Sequence, residues 1–404
     1  MGHHDEYIVH RSKIFTPAFF GLLAVVIIGF YYIGVRFVEG IGAVTNLSDG
    51  YPWGIWITYD VATGTAFACG GYAVAILVYI MNNMKYHPLI RSAIVTSLFG
   101  YSLAGFSVVL DLGRYWNMYG FFMPNRWQPN SVLFEVALCV MTYTLVLAIE
   151  IAPAFLERLI YSEKKRFMTI KKAARWIYPR LDKALIFFVV LGITLPTMHQ
   201  SSLGSMFIIA ESKMHPLWHT GLLPLLFLIN CIFIGYSMVI FESTLSSVGF
   251  RRNLETREIA GLSKIIPILA AAWLGVRFYD LINRGHLADA FAGDFHSWMF
   301  LGELLLIAGG AFILSWRAYR NSPRMVFIAA IMLVIGGGWY RFNVYLIGYD
   351  PGAGWKYFPS LPEFMITLGL ISFEILGYIV FVKLFPIMPK PHKVHNPGVE
   401  SPVK

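Results

Sequence analysis

The chain has 404 residues, of which 57% are hydrophobic, 16% aromatic and only 14% charged. A soluble globular protein carries about 25% charged residues, so this composition excludes a water-exposed enzyme, a disordered chain and a nucleic-acid binder. The net charge of +9 is therefore read first as membrane topology.

A bilayer core about 30 Å thick takes about 20 mostly apolar residues per helix. Ten such runs are predicted, near 16–38, 53–81, 90–112, 131–153, 183–205, 222–246, 262–283, 295–316, 324–347 and 361–384. The first is too long for the apolar core of a signal peptide and is read as a retained helix. In the fifth, Pro196 and the polar HQSS after it predict a broken stretch, tolerated only where backbone lines protein or a cavity. With the N-terminus placed inside, 24 of the 32 Lys and Arg residues fall on the inner side, the bias of a cytoplasmic face. The basic run 164–175 (KKRFMTIKKAAR) is then a topology and lipid-headgroup segment. The outer loops differ. Loop 39–52 has no Lys or Arg, and loops 113–130 and 348–362 are rich in aromatic residues. That richness fits either an interfacial aromatic belt or a docking face for an extracytoplasmic partner.

Ionisable groups at membrane depth are expensive and are functional candidates by default. Counting about 1.5 Å per residue from the outer helix ends, most of them fall in the outer half. Asp60 lies on the second run with Tyr59 beside it, Asp111 and Arg114 end the third, and Glu135 opens the fourth. His199 is near the outer end of the fifth, Arg277 and Asp280 end the seventh, and Glu303 and Arg341 follow on the eighth and ninth. Glu150 and Glu242 lie toward the cytoplasmic ends, and Glu374 is mid-membrane on the tenth. The pairs Asp111–Arg114 and Arg277–Asp280 are three residues apart and each could simply neutralise itself. Asp60 and Glu135 have no such cation within their own runs, Glu303 and Glu374 show no partner, and Tyr101 reads as a packed tyrosine with one satisfied hydroxyl.

A polar site in the outer half of the membrane suits a ligand with a polar head and an apolar tail. A quinone is such a ligand, and its reduction needs two electrons, two protons and nearby proton carriers. The same charges would also serve a secondary transporter. A bis-histidine haem needs inward-facing histidines on two helices, and only His199 comes near membrane depth, so no haem is expected. Cys69, Cys139 and Cys231 sit singly in apolar runs and offer no metal framework. Gly64–Ala68, Gly71–Ala75 and Gly336–Gly338 have the small-residue spacing that lets helices approach closely.

The strings PWGIWITYD (52–60), FACGG (67–71), SLFGYSLAG (97–105), DLGRYWN (111–117), NSVLFE (130–135), LPTMHQSSLGS (195–205), HPLW (215–218) and AFAGDF (290–295) run in order. Together they resemble the polysulfide reductase/NrfD membrane family, and within it the membrane subunit of hydrogenase-2-type [NiFe] hydrogenases. The resemblance covers nearly the whole chain. It implies an all-α polytopic fold of two four-helix bundles, helices 2–5 and 6–9, with helices 1 and 10 at the periphery. The corresponding segments are a cytoplasmic tail (1–15), helix 1 and its outer loop (16–52), the first bundle with the quinone site (53–205), the second bundle (206–347), an outer loop with helix 10 (348–388) and a second cytoplasmic tail (389–404). It implies a subunit of the bacterial inner membrane that reduces quinone, menaquinone rather than ubiquinone, and carries no metal of its own. Its partners would be the [NiFe] large and small subunits and a ferredoxin-like iron–sulfur protein on the periplasmic face. The family motifs place Asp60, Tyr59, Asp111, Arg114 and His199 around the quinone. They place Glu135, His199, Tyr101 and Glu242 on its proton supply.

Overall fold

The computed structural model describes residues 7–10, 12–161, 168–252 and 255–390. Part of the basic run 164–175, part of the predicted tail 1–15 and most of the predicted tail 389–404 lie outside them. Among the described residues, ten helices are long and apolar enough to cross a membrane. We name them α1 (Pro17–Glu39), α2 (Trp56–Ile80), α3 (Met84–Asp111), α4 (Val132–Ile160), α5 (Met168–Ser205), α6 (Leu223–Gly249), α7 (Thr256–Asn283), α8 (Phe295–Ser315), α9 (Pro323–Ile347) and α10 (Leu361–Leu384). Each predicted run corresponds to one of them.

The helix starts follow local chemistry. Thr16, Ser131, Asp294 and Ser360 cap α1, α4, α8 and α10 through their side chains, each satisfying a backbone N–H that lacks an intrahelical partner. At α10 the cap is reciprocal: Ser360 accepts from the Glu363 N–H, and Glu363 accepts from the Ser360 N–H, a capping box.

α2 and α6 are the most enclosed spans. α2 packs against α3, α6 and α9; α4 lies between α3 and α5; α7 and α8 stand beside α6 and α9. α1 docks chiefly on α10, which in turn rests on α3. On the Lys/Arg-rich face a two-stranded antiparallel ribbon pairs β1 (Tyr7–Ile8) with β2 (Met388–Pro389). Beneath it Arg91 makes a bidentate ion pair with Glu157, donates to the Pro386 carbonyl and lies under the Tyr7 ring.

The predicted break in α5 does not occur: the helix continues through Pro196 to Ser205. The carbonyls around the proline find side-chain donors. Thr194 and Thr197 donate to Val190 and Ile193, and His199 Nδ1–H donates to Leu195. Such local donors let a proline persist in a membrane helix.

The interrupted helix is α2. It runs as a π-helix over Trp56–Thr63, a short α segment, a turn at Ala68–Cys69, a second α segment and a π-helix over Ile76–Ile80. Neighbours take up its backbone groups. Arg341 donates to the Ala62 carbonyl, Ser97 donates to the Ala68 carbonyl, and Gly71 N–H donates to Ser97. The turn at Ala68–Cys69 falls between the two small-residue pairs read from sequence as packing, Gly64–Ala68 and Gly71–Ala75. Close packing is real there: a Cβ on Gly235 of α6 would lie 2.7 Å from the Cys69 carbonyl oxygen.

Candidate functional site

The polar groups of α2–α5 collect into two clusters in the half of the spans away from the Lys/Arg-rich face, the half expected from the charge bias to be the outer one. The first is built on α5. Continuous helix through Pro196 puts His199, Gln200 and Ser202 within one turn, above α3 and α4. His199 is wholly buried, and because its Nδ1–H is given to Leu195, its Nε2 lone pair faces the Tyr101 hydroxyl at 2.8 Å. Gln200 donates to Thr65 and to the Tyr101 hydroxyl, and the Cys69 thiol lies 3.3 Å from that hydroxyl. Tyr143 meets the Tyr101 ring edge-on at 4.6 Å. One turn nearer the outer surface, Ser202 donates to the Glu135 carboxylate at 2.8 Å. Glu135, Ser202, His199 and Tyr101 thus form a descending series, from about 5 Å to about 15 Å below the outer helix ends.

The second cluster lies on the opposite side of α2, toward α3 and α10. The π-helix carries Asp60, which is buried and accepts from Thr367 of α10 at 3.3 Å. Ser107 of α3 also faces it. Tyr59 lies next to Asp60, its ring packed on Phe67. Asp111 ends α3 above them, one carboxylate oxygen buried without a partner. No hydrogen bond or ion pair joins Asp60 to His199.

Deeper in the membrane, Glu242 accepts from Thr96 at 2.7 Å and faces Tyr378 of α10. Glu374 lies in the electrostatic field of both Glu242 and Asp60, beside Gly100, where a Cβ would fall 2.6 Å from the Ala68 Cβ and 3.5 Å from the Glu374 carboxylate. Tyr101 and Glu242 share no hydrogen bond.

Several predicted pairings are corrected. Arg114 is exposed and makes no ion pair; the cation acting on Asp111 is Arg36 of α1. Arg36 is buried and is held by the carbonyls of Leu110 (2.7 Å) and Leu112. Arg277 pairs not with Asp280 but with Glu303, at 3.5 Å and with both side chains fully buried. Asp280 turns instead to Arg284 at 2.5 Å and accepts from Thr220. Glu303, partnerless in sequence, also accepts from Trp218 and from Asn343 at 2.6 Å. A helix-local reading fails at Asp111 and Glu303 because the tertiary fold brings in Arg36 and Arg277 from other helices, whereas Asp280 keeps a local cation at a different spacing, Arg284 four residues on.

Sequence reasoning missed Arg36 as a buried group and did not see that Arg341 holds the centre. Arg341 donates to Asn230, Ala62 and Phe227, tying α9 to α6 and to the irregular part of α2. The available signal was an arginine at membrane depth.

Among the described histidines only His199 is buried, and both of its ring nitrogens are engaged. That set does not fit an iron held by two histidines from facing helices. At the outer end of the second half, ligand atoms of His215, Asp294 and His296 lie within 4.8 Å of one another. The two imidazoles are stacked nearly parallel, 4.3 Å apart and tilted by 12°. Parallel rings do not aim their lone pairs at one ion, and one Asp294 oxygen is occupied in capping α8. Burial, then the neighbouring His296, holds His215 below the ordinary imidazole range.

An all-helical, ten-span membrane protein with its ionisable groups concentrated toward one face is the class this fold and site define. Residues 43–350 match the family described as polysulphide reductase, NrfD, and the chain belongs to that family. It is 42% identical over 96% of both chains to the probable Ni/Fe-hydrogenase 2 b-type cytochrome subunit of Escherichia coli. It is 28% identical over 87% of both chains to the menaquinone reductase integral membrane subunit of Nitratidesulfovibrio vulgaris. It is also 24% identical to the Hdr-like menaquinol oxidoreductase integral membrane subunit of Archaeoglobus fulgidus, over 91% of this chain and 92% of that one.

Proposed function

We propose that this chain is the quinone-reducing membrane subunit of a respiratory [NiFe] hydrogenase complex in the bacterial inner membrane, with both termini cytoplasmic. The observation that carries the reading is the outer-half ladder Glu135–Ser202, His199–Tyr101, in a chain closely similar along its length to a hydrogenase 2 subunit. Two relatives whose names specify menaquinone or menaquinol favour menaquinone as substrate. The segments 53–205 and 206–347 would act as the two bundles, with the quinone site in the first.

Hydrogen oxidation supplies two electrons and two protons, and quinone takes up two of each to become quinol. Electrons would arrive from an iron–sulfur protein, itself served by the large and small subunits, on the face where Trp116, Phe122, Trp127 and Phe358 are exposed. Asp60, Tyr59 and Asp111 would surround the quinone head, with Arg36 in the place first given to Arg114. Glu135, bonded to Ser202, would relay protons to the quinone, with His199 as well as Asp60 at the quinone head and the Tyr101 hydroxyl donating to His199. Glu242, bonded to Thr96, would serve the cytoplasmic end, reached from Tyr101 through intervening water. The residues present do not fit a bis-histidine haem, so no step is derived through one.

Glu135→Gln is expected to abolish quinone-linked hydrogen oxidation in the intact complex while sparing oxidation with a soluble dye. Unchanged quinone-linked activity would overturn the reading. The transporter alternative has the discontinuous α2 in its favour and predicts a chain that purifies without iron–sulfur partners.

A further inference from the structure

The Lys/Arg-rich end of α9 is flanked by two adjoining cavities. One, of about 270 Å³, lies between α9 and the end of α6 and is lined by Ser247, Arg252, Arg324 and Phe327, among others. The second, of about 330 Å³, lies between α9 and the start of α7 and includes Thr256, Ile259 and Arg320. Pro323 is a wall of both.

The local backbone explains the charge. Arg251 adopts a left-handed conformation with φ of 52°, a turn that sends the chain back over the end of α6. Arg252 N–H then donates to the Ser247 carbonyl at 2.8 Å. The Arg252 side chain is 9% exposed, held by Glu255 and the Pro389 carbonyl. Its Nε is buried with no partner, and so is the Ser247 hydroxyl, on a residue only 5% exposed. α9 itself begins without a side-chain cap at Ser322, so its first turn presents uncapped N–H groups and the positive end of the helix dipole. Arg252 is paired with Glu255, Arg320 donates through one nitrogen to the Leu314 and Ser315 carbonyls, and beyond the arginines the walls become apolar at Val248, Phe327, Val326 and Ile259.

We propose that this paired cavity binds the phosphate headgroup of an anionic phospholipid. Buried unpartnered donors, arginines and an uncapped helix start select a phosphodiester. The apolar walls leading into the membrane select one that carries acyl chains, as in other basic pockets between membrane helices on the cytoplasmic side. Two compartments, one lined by Arg252 and Arg324 and the other by Arg320, fit a lipid with two phosphates joined through glycerol better than one with a single phosphate.

The test is native mass spectrometry of the full-length chain released from mild detergent, after incubation with diphosphatidylglycerol, phosphatidylglycerol, phosphatidylethanolamine or inorganic phosphate. Diphosphatidylglycerol should be retained most strongly, and phosphatidylethanolamine and inorganic phosphate should neither bind nor displace it. Arg320→Gln and Arg324→Gln, at less buried positions, should each weaken retention by roughly fivefold. Ser247→Ala should weaken it further without altering the melting temperature in lipid-free micelles. Equal retention by wild type and the arginine variants, or equal binding of the zwitterionic lipid, would overturn the proposal. Displacement by inorganic phosphate would show the ligand to be a free anion and would overturn the lipid assignment.

Discussion

At the scale of single residues, the costliest commitment is the ion pair of Arg277 and Glu303. Both are fully buried, and two guanidinium nitrogens of Arg277 have no partner. Removing one member of such a pair leaves an uncompensated charge and costs about 3–5 kcal/mol, whereas replacing both with apolar groups can be neutral. Arg277→Met and Glu303→Gln are therefore each expected to lower the melting temperature of the detergent-solubilised chain sharply. The double replacement Arg277→Met/Glu303→Leu should recover most of the loss. A double variant no more stable than the singles would show that the pair is held for another purpose. The contrast with Arg91–Glu157 is instructive, because there both guanidinium Nη atoms meet the carboxylate at 2.7 Å and Tyr178 also donates to it. Individual charges such as Asp60, Glu135 and Glu242 were legible in the sequence, since a carboxylate inside an apolar run declares its cost locally. Their partners were not. Glu303 is satisfied by Trp218, 85 positions away, and Asn343, 40 away, and no helix-local spacing encodes such distances. Arg36 was hidden because it sits at a helix end, where a charge can reach the headgroups, yet its donors go to carbonyls of α3.

At the scale of elements, the spans were readable because hydropathy over about 20 residues is a strong signal, and the irregularities were not. Proline announced a break in α5 that does not occur: the helix runs on through Pro196, with hydroxyls donating to carbonyls on either side of the one the proline leaves without its N–H. The true discontinuity in α2 carries no proline between Trp56 and Ile80 and is sustained by donors from α3 and α9. Its consequence for the site is direct: the π-helix carries Asp60, and the Ala68–Cys69 turn brings the thiol beside Tyr101. Helix docking gives a sharper test. A Cβ on Gly29 of α1 would fall 2.8 Å from the Gly369 Cα of α10, while one on Gly34 would meet nothing within 4 Å. Overpacking of this kind costs typically about 1–3 kcal/mol. Gly29→Leu should therefore lower thermal stability and loosen α1, as read by limited proteolysis, and Gly34→Leu should leave both unchanged.

At the scale of the whole molecule, the charge asymmetry predicts how the chain sits. Single cysteines introduced at Arg317 and Asp49, both exposed, are expected to react with an impermeant thiol reagent from opposite sides of the membrane, Arg317→Cys from the cytoplasm and Asp49→Cys from outside. The native thiols Cys69, Cys139 and Cys231 are all buried and keep the background low. Labelling of both from one side would reverse the topology. The ribbon of β1 and β2, with Arg91 beneath it, joins the first described residues to the last. α1 has few buried positions of its own and rests mainly on α10. α1 must therefore wait, in lipid, for α10, which is synthesised after it. Insertion can proceed span by span, but closure of the molecule is a single late event that every ribosome must finish translating to permit. A premature stop within α10 would thus also strand α1 at the other end of the chain, and the cell's membrane proteases would be offered two loose helices in place of one.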